Sequence, residues 1–143
     1  MNILGSGIRY RKTVSYATIR DALAASAALY PDNVAVHQKT DGVFTGISYS
    51  KLYSDVNALG TYLCSKGLKG RHFMLIGENC YEWCVSYFAV ACGAGTVIPV
   101  DCETKAKEIL SYVEMRDSTV VFYSEKCGKY IREAFEDREN VPT

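Results

Sequence analysis

Polar side chains follow three short apolar stretches of the sequence that are typical of buried strands. They are Glu78 and Asn79, then Asp101, then Ser124 and Glu125. In open α/β sheets ligands bind outside the carboxyl ends of the strands, so these side chains could form the polar rim of a site. The same residue types are the preferred N-caps of helices. We expect them to cap the helices that follow, at Asn79, at Asp101 or Thr104, and at Ser124.

Two glycine-containing stretches could bind phosphate, but neither has the required form. A phosphate-binding loop needs glycines between a strand and the start of a helix, so that the backbone can approach the anion. Gly5-Ser6-Gly7 has no third glycine and no preceding strand. Gly93-Ala94-Gly95 follows a helical run and precedes a strand, which is the reverse order. We interpret this second stretch as a helix stop and predict no cofactor-binding residue in the chain.

Metal and nucleophile chemistry has little support in the sequence. His37 and His72 have no second His, Cys or carboxylate at metal-ligand spacing, and His37 alternates with valines and is expected to face solvent. The six cysteines include no Cys-x-x-Cys pair, and no Gly-x-Ser-x-Gly elbow occurs. We predict no metal ligand and no catalytic residue.

An aromatic group lies within one helical run: Tyr81, Trp83, Tyr87 and Phe88. It could form a wall for an acyl chain or a base. At helical spacing such a group is more typical of a core.

Composition excludes several classes of protein. The 143 residues are 48% hydrophobic and 22% charged, which fits one globular domain with a sizeable core. Sixteen basic residues balance sixteen acidic ones, which argues against a nucleic-acid partner and against a polybasic membrane anchor. The longest apolar stretch, 85–100, is too short and too interrupted to span a bilayer. No apolar leader is visible, so we predict reduced thiols and a cytoplasmic location.

Periodicity predicts helices over 18–29, 49–66, 81–92, 104–115 and 125–136, and strands over 34–39, 43–47, 73–76, 96–100 and 119–123. Asp41-Gly42 predicts a hairpin turn between the first two strands. The last three strands alternate with helices, which implies parallel pairing with right-handed crossovers. Pro99 cannot donate to a ladder, so its strand should lie at an edge or bend there. The predicted fold is α/β: a partial parallel, Rossmann-like sheet with flanking helices plus an N-terminal β-hairpin. We divide the chain into an N-terminal arm, 1–17, and an incomplete subdomain, 18–143, after which a further strand is expected.

Six stretches, taken in order, resemble one family. They are 29–36 (LYPDNVAV), 47–52 (ISYSKL), 59–67 (LGTYLCSKG) with Gly70, 76–83 (IGENCYEW), 89–101 (AVACGAGTVIPVD) and 120–124 (VVFYS). Together they resemble the N-terminal part of AMP-forming acyl-CoA synthetases in the adenylate-forming superfamily, most of all bacterial long-chain fatty-acid–CoA ligases. No single stretch is specific, but the ordered set is.

The resemblance implies a parent enzyme that joins a fatty acid to ATP, giving an acyl-adenylate, and then transfers the acyl group to coenzyme A with the help of Mg²⁺. The family's Ser/Thr/Gly-rich phosphate loop, its adenine-binding Tyr-Gly-x-Thr-Glu, its ribose-binding Asp and its catalytic Lys have no counterpart in this chain. No catalytic, cofactor-binding or metal-binding role is therefore carried over to any residue. The resemblance implies a scaffold that is inactive alone and part of the large N-terminal domain.

Other hypotheses about the function stay open. The parent could activate an aryl acid or an amino acid instead, or the chain could be a standalone binding or regulatory module. A third hypothesis is a small flavodoxin-like protein that binds a nucleotide or flavin. The lack of a phosphate loop counts against it. An incomplete sheet leaves an unpaired edge, so we also expect self-association or marginal solubility.

Overall fold

The computed structural model describes residues 14–136 and 142–143. Most of the predicted arm, residues 1–13, lies outside the described residues, and the arm's described part, 14–17, is exposed and forms no helix or strand. The helices are α1 (Ile19–Leu29), α2 (Tyr49–Ser65), α3 (Tyr81–Ala89), α4 (Ala106–Arg116) and α5 (Gly128–Phe135). The strands are β1 (Val34–Thr40), β2 (Val43–Ser48), β3 (Arg71–Ile76), β4 (Gly95–Val100) and β5 (Ser118–Tyr123). Every predicted helix and strand is present.

The N-terminal helix and the hairpin form as their local sequences predict. Thr18 caps α1 in a capping box: its hydroxyl accepts the backbone N–H of Asp21, and the Asp21 carboxylate accepts the N–H of Thr18. Strands β1 and β2 pair antiparallel across Asp41-Gly42, where both residues have positive φ, as a type I′ turn requires. The predicted hairpin is confirmed.

Helix α2 buries one stripe and ends in a complete Schellman motif. Leu52, Val56 and Leu63 are buried along one face. At the C-terminus the Leu68 N–H donates to the Leu63 carbonyl at 3.1 Å, and the Gly67 N–H donates to the Cys64 carbonyl at 3.0 Å. The helix predicted over 49–66 thus ends within one residue of its predicted bound. This stop turns the chain directly into β3.

Strands β3, β4 and β5 form a three-stranded parallel sheet in the order β4-β3-β5. Strand β4, which contains Pro99, lies at an edge as predicted. In the central strand β3, Phe73 and Met74 point to opposite faces and are both fully buried. Met74 packs with α4 and α5, whereas Phe73 packs with α2 and the turn after α3. Helices therefore cover both faces of the sheet, and the predicted α/β fold is confirmed.

Two details around α3 differ from the prediction. The helix ends at Ala89 rather than at 92, and a π-helical turn, Val90–Ala94, carries the chain into β4. The sequence of this helix is apolar nearly all round, which predicts cover on both sides. That prediction is wrong, because Ala89 is the only buried residue of α3 and Trp83 and Tyr87 are half-exposed. Only glycine fits at position 95, where the turn passes into β4, because a Cβ there would overlap the Arg71 carbonyl oxygen.

Candidate functional site

The carboxyl ends of β3 and β5 bring Glu78 and Ser124 together. Ile76 and Tyr123 are partners in the ladder, and the Ser124 N–H extends it by donating to the Ile76 carbonyl at 3.1 Å. Gly77 permits this close approach, since a Cβ at that position would lie 3.3 Å from Ser124 Cβ. The polar rim predicted from the sequence therefore exists at these two strands.

Glu78 is the ionised group of this rim. The pKa of the Glu78 carboxyl is lowered, first by the nearby Ser124 hydroxyl and then by the backbone of Glu78 itself and the charge of Lys126. Burial acts in the opposite direction but does not cancel this shift. Its Oε2 atom is nevertheless buried without a hydrogen-bond partner. The rim thus presents a negative charge with spare acceptor capacity.

Trp83 forms a wall between two cavities beside this rim. A small cavity of about 170 Å³ lies against Glu78, Trp83, Ser86 and Ser124. A groove of about 480 Å³ lies between the hairpin and the start of α3, with Trp83 and Asn79 in its lining. The Trp83 ring stacks on Tyr87 with centroids 5.4 Å apart, which holds the indole in place.

Asn79 and Ser124 do not cap as predicted. Helix α3 begins after Cys80, so Asn79 is one residue too early and is exposed. Ser124 has the cap position of a 3₁₀ turn, Glu125–Cys127, but its hydroxyl donates to the Cys127 thiol at 3.4 Å instead of accepting an N–H. The Cys127 N–H is already bonded to the Ser124 carbonyl at 3.0 Å, so it is not available to the side chain.

Asp101 and Thr104 do not cap α4 either, and neither lines the small cavity beside Glu78. The Asp101 carboxylate accepts the N–H of Glu103 at 2.8 Å, in a turn of its own after β4. Helix α4 begins only after Lys105, and Thr104 is buried. Because Val100 pairs with Ile76, Asp101 follows β4 at the same edge of the sheet as Glu78, but its carboxylate is used in its own turn.

The start of α3 is held by residues that sequence reasoning missed. The Gln38 side-chain oxygen, from β1, accepts the backbone N–H of Tyr81 at 2.9 Å and replaces the missing cap. The Tyr81 hydroxyl donates to Asp55 of α2 at 2.8 Å, and Lys51 forms an ion pair with the same carboxylate. Burial and the Asp55 contact raise the pKa of Tyr81. The only sign of this network in the sequence was Tyr81, an aromatic residue with a hydroxyl group at the start of a helix.

The start of α3 does not fit a phosphate group. A helix N-terminus binds anions through its free N–H groups. Here the Tyr81 N–H is taken by Gln38, and the carboxylates of Glu78 and Glu82 stand beside the helix start. Within residues 14–136 and 142–143, no three His, Cys, Asp or Glu side chains are grouped to hold a metal ion. The rim is thus a structural junction with a small acidic cavity.

Comparison with known proteins places this arrangement in a family. The family model described as AMP-binding enzyme matches residues 23–142, which is most of the chain. The chain belongs to the AMP-binding enzyme family. Its sheet, with helices on both faces, has the fold of the N-terminal domain of FACL13 from Mycobacterium tuberculosis.

Individual relatives agree with this membership. The long-chain-fatty-acid–CoA ligase FadD15 of Mycobacterium bovis is 26% identical over 96 residues, which is 66% of this chain and 16% of FadD15. The N-terminal domain of FACL13 from Mycobacterium tuberculosis superposes with a TM-score of 0.76 at 21% identity, over 87% of this chain and 31% of that domain. The anthranilate CoA ligase AuaEII superposes with a TM-score of 0.74 at 18% identity, over 89% of this chain and 23% of AuaEII. The two structures show the fold, and the chain spans about one sixth of the curated relative.

No helix in the described part of the chain is both long enough and apolar enough to cross a membrane.

Proposed function

We propose that these residues serve as a scaffold within an enzyme that activates a fatty acid with ATP and transfers the acyl group to coenzyme A. The observation that carries the proposal is the family match over residues 23–142. The likeness to FadD15 supports a fatty acid as the substrate. All six cysteines are free thiols, which supports a cytoplasmic location for the enzyme.

We infer the scaffold role because the polar groups at the carboxyl edge of the sheet are not suited to bind phosphate. The N–H at the start of α3 is taken by Gln38, and the nearest carboxylate, Glu78, would repel a phosphate rather than bind it. Activation of a carboxylate by ATP needs groups that stabilise the developing charge on the phosphate, for which Mg²⁺ is the usual aid. We propose that ATP, Mg²⁺ and coenzyme A are bound by other parts of the enzyme and that this chain alone is inactive.

Activation of an aryl acid or an amino acid is the second candidate. It is favoured by the fold of the anthranilate CoA ligase AuaEII and by that of VinN, solved with 3-methylaspartate and superposing with a TM-score of 0.73 at 18% identity. Both scaffolds superpose about as well as FACL13 does, so the geometry of the scaffold is compatible with each class of acid.

The coding sequence downstream of Thr143 provides the first test. We expect it to continue into a Ser/Thr/Gly-rich loop, and the polypeptide it encodes is then assayed for acid-dependent ATP–pyrophosphate exchange. Palmitate, benzoate and alanine are compared as substrates. Exchange with palmitate alone supports the proposal, and exchange with benzoate or alanine alone replaces it with the second candidate. A stop codon directly after Thr143 removes the ligase proposal and favours a standalone binding module.

The 143-residue chain is assayed beside the longer polypeptide. We expect no exchange with any of the three acids. Exchange above the blank would contradict the scaffold role.

A further inference from the structure

A small cavity lies where α1, α2 and the π-helical turn after α3 meet. Its volume is about 220 Å³. Arg20 lines it from α1, Asn57 and Thr61 line it from α2, and Gly93 lines it from the turn. None of its lining residues belongs to the two cavities beside Trp83. The cavity is therefore separate from the junction at the strand ends.

Gly93 leaves the space that the Arg20 guanidinium occupies. A Cβ built at Gly93 would lie 2.5 Å from Arg20 Nη2 and 3.3 Å from Arg20 Cζ. A side chain at position 93 would therefore push the guanidinium away. Because position 93 is glycine, the guanidinium lies directly against the backbone of the turn and lines the cavity.

The charge of Arg20 has no counter-charge in the part of the chain that the structure describes. Within residues 14–136 and 142–143, no hydrogen bond or ion pair joins its guanidinium to another residue, and no Asp or Glu lines the cavity. The neighbouring carboxylate, Asp21, is used in the capping box with Thr18. Burial raises the pKa of the Cys92 thiol despite the nearby guanidinium, so this thiol stays neutral at pH 7.

Helix stability does not explain a basic residue at this position. Arg20 is the second residue of α1. The helix dipole favours acidic side chains in the first turn and disfavours basic ones. An unpaired guanidinium here is therefore slightly unfavourable for the helix, and an anion in the cavity would neutralise it.

Two further donors line the same cavity. Asn57 and Thr61 are one turn apart and lie on the same face of α2. Neither the Asn57 amide nor the Thr61 hydroxyl forms a hydrogen bond with another described residue. A guanidinium presents its N–H groups as a planar fork that matches two oxygens of a phosphate. The amide and the hydroxyl are donors for the remaining oxygens.

The size of the cavity limits the ligand. Pockets for drug-sized ligands have volumes of about 300–1,000 Å³, and this cavity is smaller. It suits a single phosphate group better than a nucleotide.

We propose that Arg20, Asn57 and Thr61 bind a phosphate group in this cavity, as free phosphate or as the phosphate of a small monoester. The guanidinium neutralises the charge, and the two side chains of α2 donate hydrogen bonds to the phosphate oxygens. The site goes beyond the proposed function and does not depend on which acid the enzyme activates.

Titration of the 143-residue chain with sodium phosphate, followed by NMR at constant ionic strength, tests the proposal. We expect the amide signals of Thr61 and Gly93 to shift and to saturate with a Kd of about 1–10 mM, which is typical of a small, open site. Sodium acetate is the comparison, and it should bind at least about fivefold more weakly because it has fewer oxygens and less charge. Shifts that do not saturate, or equal affinities for the two anions, overturn the proposal.

Variants of the three side chains locate the site. Arg20→Gln removes the charge and should weaken phosphate binding about tenfold or more, whereas Arg20→Lys keeps the charge without the fork and should fall between. Asn57→Ala and Thr61→Val should each weaken binding about threefold or more. Arg71→Gln is the matched control, since Arg71 is exposed and does not line the cavity. If Arg20→Gln and Arg71→Gln weaken binding equally, the attraction is nonspecific and the proposal is wrong.

Glycerol 3-phosphate distinguishes the two sources of the phosphate group. Binding as tight as that of inorganic phosphate supports the site and assigns it to a phosphorylated small molecule. Binding of inorganic phosphate alone supports the site and assigns it to the free ion. Neither result bears on the ATP–pyrophosphate exchange of the longer polypeptide, so the two proposals fail separately.

Discussion

The Tyr81 hydroxyl donates a 2.8 Å hydrogen bond to Asp55 Oδ2, and this bond joins the start of α3 to the middle of α2. The backbone N–H of the same tyrosine donates to Gln38 of the hairpin at 2.9 Å. One residue therefore connects three elements that are distant in sequence. Because Trp83 lies two residues further along α3, these bonds also set the position of the indole between its two cavities.

Replacing Tyr81 with phenylalanine is expected to lower the free energy of unfolding by about 1 kcal/mol, the usual net value of one hydrogen bond. The ring and its packing are kept, so the loss reports the hydroxyl. Urea unfolding followed by the fluorescence of Trp83, the only tryptophan, measures it. Tyr112→Phe, at an exposed position on α4, is the control and should change stability little. Equal effects of the two substitutions would contradict a specific role for the Asp55 bond.

Replacing Gln38 with alanine is expected to destabilise the start of α3, since it leaves the Tyr81 N–H without its acceptor. The cost should be about 1 kcal/mol, as for the loss of a helix cap. Hydrogen exchange of the Tyr81 amide is the local readout and should become faster. His37→Ala, at the exposed neighbouring position of β1, provides the comparison. If the Tyr81 amide exchanges equally fast in both variants, Gln38 is not the cap.

Acid is expected to weaken the same network through Asp55. The hydrogen bond from Lys51, then that from Tyr81, lowers the pKa of the Asp55 carboxyl below its usual value of 3.8. A folded-state pKa below the unfolded one stabilises the protein above the unfolded pKa, and this stabilisation is lost as the pH falls through the folded pKa. The stability difference between the wild type and Asp55→Asn should therefore be constant near neutral pH and shrink below about pH 4.

Urea unfolding at a series of pH values checks this prediction, with Asp32→Asn at an exposed position as the control. Glu78, whose pKa is also lowered, should preserve part of the acid sensitivity in the Asp55→Asn variant. A difference that stays unchanged down to pH 2 would show that the charge of Asp55 does not stabilise the fold.

The six thiols are expected to react at different rates with a disulfide reagent such as DTNB at pH 8. Cys64 is exposed, whereas burial raises the pKa values of the Cys80, Cys84 and Cys92 thiols and so lowers their thiolate fractions. Cys102 is half-buried against the core and should react slowly, and Cys127 is buried and should react only on unfolding. We expect one fast thiol, which Cys64→Ser removes and Cys84→Ser leaves. A fast phase that survives Cys64→Ser would assign the reactivity to another site.

Much of the fold could be predicted from local patterns, because its elements carry their own signals. The capping box at Thr18, the Asp41-Gly42 turn and the Gly67 stop depend on neighbours within a few residues, and each is present. Pro99 predicted either an edge position or a bend for β4, and the strand lies at an edge. The order β4-β3-β5 could not be predicted, because strand order depends on contacts between distant segments.

The candidate site was harder to predict for the same reason. Gln38 and Asp55 gain their roles from tertiary contacts with Tyr81, and no spacing along the chain shows such contacts. Asn79 has the right side chain for a cap, but the helix begins one residue later because the cap is supplied from the hairpin. Glu78 and Ser124 follow two strands that the sequence predicts. The sequence does not show that these two strands are neighbours in the sheet, so it could not bring the two residues together.

Gly95 is expected to tolerate no side chain, because β3 lies too close to β4 there to leave room for one. A Cβ at this position would overlap the Arg71 carbonyl oxygen and lie 2.7 Å from the buried Phe73 ring, and the ladder between β3 and β4 holds both groups in place. We expect Gly95→Ala to lower the free energy of unfolding by about 3 kcal/mol, at the upper end of overpacking costs. Gly67→Ala is the matched control, since its Cβ meets no atom within 4 Å and its φ of 73° alone is unfavourable. That variant should lose only about 1 kcal/mol. Equal losses in urea unfolding would mean that the backbone conformation, and not the contact between β3 and β4, sets the requirement for glycine.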